Sequence, residues 1–304
     1  MSKSAFKTIF LFVIFCSVCA LVFAENILIV SSHKVPFFAD VVSGIKDHIA
    51  ANVSAATVDV CYSDETEVIA AVQAKKPQVI CILGSADAKK VIAKFSDIPV
   101  VFSLVMDPVK SGLISATGAS SKNVTGVSLY LPIDKQFEIV RKIMPQIRTV
   151  GLIYDGSSGD VYDNLKKQDV EVKGFKVSEA TQVPSVLGSL GSVDAIWLVV
   201  DSKVYDKDSM EFTLKYCLDK KIPVIGFAAN TVKAGALVGF VYDYRDLGRQ
   251  TGEIVAAIAN GKNAGEIPIA VPRKVGYAVN KRTAKYLGID LSPSMLSSAD
   301  QTFE

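Results

Sequence analysis

The sequence predicts an α/β protein built as two lobes, each a parallel sheet flanked by helices, with a cleft between them. Three observations predict it. First, short apolar runs rich in β-branched residues alternate with helical segments. They are Ile27-Leu-Ile-Val30, Val79-Ile-Cys-Ile-Leu83 and Val100-Val-Phe-Ser-Leu104, then Val150-Gly-Leu-Ile-Tyr154, Ala195-Ile-Trp-Leu-Val199 and Pro223-Val-Ile-Gly-Phe227. Uninterrupted apolar strands separated by helices are the pattern of a parallel sheet covered on both faces. Second, an ordered set of elements occurs twice. A strand ending in Gly84-Ser85 leads through a helix to Ile98-Pro-Val and Asp107-Pro-Val-Lys-Ser-Gly112. A strand ending in Asp201-Ser202 leads through a helix to Ile222-Pro-Val and Asn230-Thr-Val-Lys-Ala-Gly235. The single long repeat favours a duplicated lobe over a solenoid. Third, about 280 residues beyond the N-terminal leader suit two domains.

The leader comes first in the chain. Lys3 and Lys7 form a positive start, residues 9–23 are almost unbroken apolar, and Val22-Phe23-Ala24 offers a small-residue cleavage site. This reads as a cleavable signal peptide over residues 1–24. The apolar stretch is shorter than the roughly 20 residues of a spanning helix. Cys16 and Cys19 lack the flanking pattern of a lipid-attachment site. Loss of Lys3 and Lys7 from a chain of 33 basic and 31 acidic residues leaves a formal charge of zero. Such a chain lacks the basic footprint of a nucleic-acid binder. No second apolar span is long enough to cross a bilayer, so the expected product is a soluble periplasmic protein.

The helix following Leu129-Tyr-Leu-Pro132 carries Ile133, Phe137, Val140 and Met144 at the spacing of one buried face. Cys81 and Cys217 sit in apolar or helical settings and read as buried thiols. One disulfide among Cys61, Cys81 and Cys217 stays open, since spacing cannot assign it. Two histidines and no Cys-x-x-Cys beyond the leader argue against a metal site, and no cofactor motif is present.

Several residues fall where parallel strands end, the edge at which open α/β sheets bind ligands. Gly84, Ser85 and Ala86 open a helix whose amides could receive an anion, unless Ser85 only caps it. Ser157 and Ser158 are hydroxyl donors or simply a Gly/Ser turn. Asp201 with Ser202 could take an ammonium, or cap the next helix. Asp107 could act similarly, or only shape an Asp-Pro turn. Phe227 offers an apolar wall or ordinary core, and Asn230 both donates and accepts. His33 and Phe37, with Phe38, could sandwich a planar ligand or pack into their own lobe.

Leu83-Gly-Ser-Ala-Asp-Ala-Lys89, Ile98-Pro-Val-Val-Phe102, Met106-Asp-Pro-Val109 and Asn123-Val-Thr-Gly-Val-Ser128 occur in that order. Ile222-Pro-Val-Ile-Gly-Phe227, Val232-Lys-Ala-Gly-Ala-Leu237 and the run from Tyr242 to Gln250 follow. The ordered set resembles the ABC-transporter substrate-binding family typified by TrpX. The resemblance implies a type I periplasmic-binding-protein fold of two Rossmann-like lobes joined by three crossovers. These are expected near residues 129–132, 240–242 and 267–271. Lobe one would hold residues 25–129 and 242–268, lobe two residues 130–241 and 269–304. It also implies a monomer that presents an amino acid, aromatic or branched, to an ABC permease. Tyr154-Asp-Gly-Ser-Ser-Gly159 replaces the Asn-Pro-x-x-Asn loop of many relatives.

A sensory subunit of the same fold is the alternative. An exported enzyme is disfavoured, because no nucleophile–base pair, Gly-x-Ser-x-Gly elbow or Walker loop is present.

Overall fold

The computed structural model describes residues 25–63, 67–114 and 123–304. The expected signal peptide lies outside the described residues. Among them, no helix is long and apolar enough to cross a membrane.

The first sheet forms from β1 (Asn26–Ser31), β2 (Thr57–Tyr62), β3 (Val79–Leu83), β4 (Val100–Val105) and β5 (Val124–Ser128). Its order is β2-β1-β3-β4-β5, and every neighbouring pair is parallel. All five residues of β3 are buried, as two covered faces require. Helices α1 (Pro36–Asn52), α2 (Val68–Lys75) and α3 (Ser85–Lys94) belong to this lobe. Pro36 starts α1 at a position where no amide donor is lost.

The chain then crosses to a second lobe. Helix α4 (Ile133–Ile143) buries Ile133, Phe137, Val140 and Ile143, with Met144 at its C-cap. The elements that follow are β6 (Thr149–Tyr154), α5 (Gly159–Leu165), β7 (Glu171–Lys176), α6 (Val183–Ser189), β8 (Ala195–Trp197), α7 (Lys207–Asp219), β9 (Val224–Ile225), α8 (Ala229–Lys233) and β10 (Val238–Tyr242). Strands β8 and β9 are shorter than the apolar runs that contain them. After Leu198 N–H donates to Ile225 O, β9 has no further residue to pair with.

Helix α9 (Tyr244–Ala259) returns to the first lobe and lies against α1. Glycines permit this close approach. A β-carbon on Gly44 or Gly248 would collide with the Arg245 or Val41 carbonyl oxygen of the other helix. Residues 267–270 still run beside β5, where Ala270 N–H donates to Gly126 O and Ser128 N–H to Ala270 O. The last crossing leads to β11 (Val275–Asn280), α10 (Lys281–Leu287), α11 (Pro293–Ser298) and β12 (Gln301–Phe303). They complete a sheet of order β12-β11-β10-β9-β8-β6-β7, in which only β10 and β11 run antiparallel.

The three crossings are tied to one another. The Tyr242 hydroxyl donates to Leu129 O at 3.1 Å, joining the second crossing to the first. Asp246, buried in the first turn of α9, accepts from Arg273 Nε at 2.9 Å and lies 3.2 Å from Lys274 Nζ. This joins the second crossing to the third. Burial alone would raise the Asp246 carboxyl, but hydrogen bonds from Arg273 and Lys274 prevail and hold it below the ordinary range.

Cys61, Cys81 and Cys217 are buried, and no disulfide forms among the described residues. Burial pushes the Cys81 and Cys217 thiols up to about 12.

The helix contact gives a direct test. Gly248→Ala should lower the unfolding free energy by about 1–3 kcal/mol through overpacking. Gly188→Ala in α6, where the added carbon meets open space, should be neutral or stabilising. Equal denaturant midpoints for the two variants would contradict the close packing.

Candidate functional site

A cavity of about 330 Å³ opens between the carboxyl edges of the two sheets. Parallel strands place every loop that follows them on one edge, so loops distant in sequence converge there.

The first lobe contributes Met106, Asp107 and Lys110. They follow a break in β4, where register shifts between Phe102 and Val105 and Leu104 takes φ +56°. A left-handed leucine costs about 1–2 kcal/mol, and such irregularities redirect a strand end. Here Ser128 Oγ donates to Met106 O at 2.9 Å and Leu129 N–H to Val105 O at 2.7 Å. These bonds hold the displaced segment against the first crossing. Asp107 Oδ1 accepts from the amides of Val109 and Lys110 at 2.9 and 3.0 Å. Asp107 therefore shapes its turn while also facing the cavity.

The second lobe supplies the floor. Trp197, the chain's single tryptophan, lines the cavity and stacks on Phe137 at 5.6 Å with a 5° interplanar angle. Phe240 stands 6.4 Å away, and Phe227, Tyr242 and Tyr130 complete an aromatic surround. Burial, with the charges of Asp160, Asp107 and Asp134, raises the Tyr130 phenol above its ordinary range. It stays protonated and able to donate.

At one side of the floor, Asp155, Ser157, Ser158 and Asp201 form a connected group. Asp155 Oδ1 accepts from Ser157 N–H at 2.5 Å, Ser157 Oγ at 2.6 Å and Ser158 N–H at 3.1 Å. Asp201 Oδ2 lies 2.9 Å from Ser157 Oγ and 3.0 Å from Ser158 Oγ. Burial opposes the charge on Asp155, yet the surrounding hydrogen bonds hold its carboxyl well below the usual carboxylate range. The Lys203 ammonium stands 3.9 Å from Asp155, on a side chain 70% exposed. This side of the site carries surplus negative charge. The Gly/Ser loop is thus pinned by two carboxylates. Asp201 does not cap α7: that role belongs to Asp206, which accepts from Ser209 N–H at 2.8 Å. Asp201 Oδ1 instead accepts from Lys203 N–H at 2.9 Å.

Of the residues singled out from sequence, Asp107, Ser157, Ser158 and Phe227 line this cavity, whereas Asp201 lies outside its lining, hydrogen-bonded to Ser157 and Ser158. Gly84, Ser85 and Ala86 lie outside its lining, on the first lobe's edge. Gly84, at φ +104°, takes the N-cap position of α3, so Ser85 is not the cap. Exposed His33 and Phe37 stand on the same edge. His33 meets Phe38 edge-on at 5.5 Å, and Phe37 packs 5.2 Å from Tyr244. Ser202 is an exposed turn residue and Asn230 an exposed residue of α8, both outside the lining. Sequence reasoning missed Trp197, Tyr130, Lys110, Asp155 and Asp160. Lys110 stood inside a quoted motif and Tyr130 inside an expected crossing, which were the available signals.

The sequence matches the model of the ABC transporter substrate binding protein family over residues 35–303. The chain belongs to this family. A curated relative from Clostridioides difficile (strain R20291), a tyrosine-binding protein, is 30% identical over 220 residues. That alignment covers 70% of this chain and 63% of the relative's length. The ligand-free, open structure of a Clostridium difficile substrate-binding protein with adhesive properties superposes with TM-score 0.79 at 24% identity. It covers 92% of this chain and all of the other. A Streptococcus pneumoniae ABC domain in complex with L-Trp gives TM-score 0.65 at 23% identity, covering 92% of this chain and 100% of that one. These structures share the fold, which is of the type I periplasmic-binding-protein kind. The family and these relatives are substrate-binding proteins rather than enzymes.

The depressed Asp155 carboxyl sets a pH dependence. Its stabilisation is complete above the ordinary aspartate pKa of about 3.9 and is lost as pH falls below that value. Asp155→Asn should lower the melting temperature at neutral pH and flatten the decline between about pH 4 and 2. A variant that follows the wild-type acid limb would show that the carboxylate does not hold the loop.

Proposed function

We propose that this protein is the periplasmic receptor of an ABC importer and captures an aromatic amino acid by closing two lobes over the cavity. The observation that carries the reading is an aromatic cavity, floored by Trp197, between two carboxyl edges with a carboxylate–serine group beside it. A planar side chain would stack against Trp197, Tyr242 and Phe227, because offset or edge contacts between rings add to simple burial. The ammonium would sit against Asp201, oriented by Ser157 and Ser158, with Asp155 supporting the serines. The name of the Clostridioides difficile relative supports a ligand of this class.

Closure has its own support. Val35 and Phe37 after β1, Met106 after β4 and Val200 after β8 are large apolar residues left 39–54% exposed on the facing edges. Bringing the lobes together would bury them, with Gly84, Ser85, Ala86 and His33 arriving as the opposite wall. The moving bodies would be residues 25–129 with 242–268 and residues 130–241 with 269–304. Signal-peptide export, a monomeric state and an ABC permease as docking partner complete the reading.

Binding to the native state alone raises apparent stability. A thermal-shift screen should therefore respond to L-tyrosine, L-tryptophan or L-phenylalanine. Asp201→Ala should weaken that binding by about 2 kcal/mol, roughly 30-fold, through loss of a charged hydrogen bond. A response to nucleosides with none to any amino acid would overturn the ligand class. Unchanged affinity in the variant would remove Asp201 from the site.

A further inference from the structure

An amino acid carries a carboxylate as well as an ammonium, and the first-lobe edge expected to receive it does not line the cavity. Among the described residues lining it, Lys110 is the only cation. Its place is fixed at the backbone, where its amide donates to Asp107 Oδ1. Its ammonium reaches across the cleft to Asp160 Oδ1 in the first turn of α5, a direct ion pair between the two lobes. It stands 3.8 Å from Asp107 Oδ2 as well. Both partners of the interlobe pair are partly exposed, at 44% and 36%. A carboxylate is therefore already seated on Lys110 inside the cavity, and it belongs to the protein.

We propose that Lys110 is the carboxylate-binding residue of the site and that Asp160 occupies it until a ligand displaces it. The inference rests on the amino-acid reading above. Asp160 presents the same chemical group as a ligand's α-carboxylate, to the same ammonium, from the lobe that holds the aromatic floor. Lys110 is shared between Asp107 and Asp160, so displacing Asp160 would leave its ammonium for a ligand carboxylate. With Asp201 beside Ser157 and Ser158 for the ammonium, the two groups would suit a zwitterion carrying an aromatic side chain. Exchange conserves charge at Lys110, because one carboxylate leaves as another arrives. The exchange also releases a contact that joins the lobes, so Asp160 competes with the ligand and lowers its apparent affinity.

Calorimetric titration of wild type, Lys110→Gln, Lys110→Arg and Asp160→Asn with L-tryptophan and with tryptamine, which lacks the carboxylate, tests this. Lys110→Gln should weaken L-tryptophan at least tenfold and leave tryptamine within about twofold, with Lys110→Arg retaining most L-tryptophan affinity. Asp160→Asn should bind L-tryptophan more tightly than wild type. Equal L-tryptophan affinity in wild type and Lys110→Gln, or an equal loss for both ligands, overturns the assignment and leaves the amino-acid reading standing. Wild type that binds no aromatic amino acid overturns both.

Discussion

The structure depends on one constraint: the carboxyl edges of two parallel sheets must face each other across a gap that the backbone cannot fill. Three crossings carry that constraint, and the polar ties between them make it a shared joint. Tyr242 links the second crossing to the first through Leu129, and Asp246 links it to the third through Arg273 and Lys274. A buried carboxylate with two cationic partners is costly to break, since loss of one partner leaves a charge uncompensated. The contact of α1 with α9, made close by Gly44 and Gly248, anchors the returning chain to the first sheet.

On that frame the site acquires its chemistry from strand ends. The break in β4 directs Met106, Asp107 and Lys110 into the gap, and the end of β8 places Trp197 beneath it. The loop after β6 is held by a carboxylate–hydroxyl device. Asp155 turns two serine hydroxyls and two amides inward, and Asp201 shares the hydroxyls. Hydrogen bonds outweigh the burial of Asp155 and hold its carboxylate charged, with only the exposed Lys203 ammonium, at 3.9 Å, as a cationic partner among the described residues. The proposed ligand's ammonium would add a second positive charge, against Asp201.

Much of the architecture was legible in the sequence because a buried parallel strand leaves an unmistakable apolar run. Val79-Ile-Cys-Ile-Leu83 could only be covered on both faces, and β3 is. The true length of β8 was not legible, since Leu198 and Val199 remain buried beyond the ladder and look like strand. Strand ends pointed to Ser157, Ser158, Asp107 and Phe227, which line the cavity because a parallel fold dictates where those loops gather. Trp197 was hidden because which face of a short strand opens onto the gap depends on how the lobes meet. The Lys110–Asp160 pair was hidden for the same reason: fifty residues separate the partners, and no periodicity links two loops on different lobes. The capping role open to Asp201 belongs to Asp206, which sits five residues further on at the start of α7.

The central claim is that an aromatic amino acid rests on Trp197 between the lobes. Because Trp197 is the chain's single tryptophan and lines the cavity, its emission reports on that place alone. Titration with L-phenylalanine or L-tyrosine, excited selectively at the indole, should give a saturable change whose midpoint matches the calorimetric affinity. Calorimetric binding with unchanged Trp197 emission would put the ligand elsewhere and contradict the account.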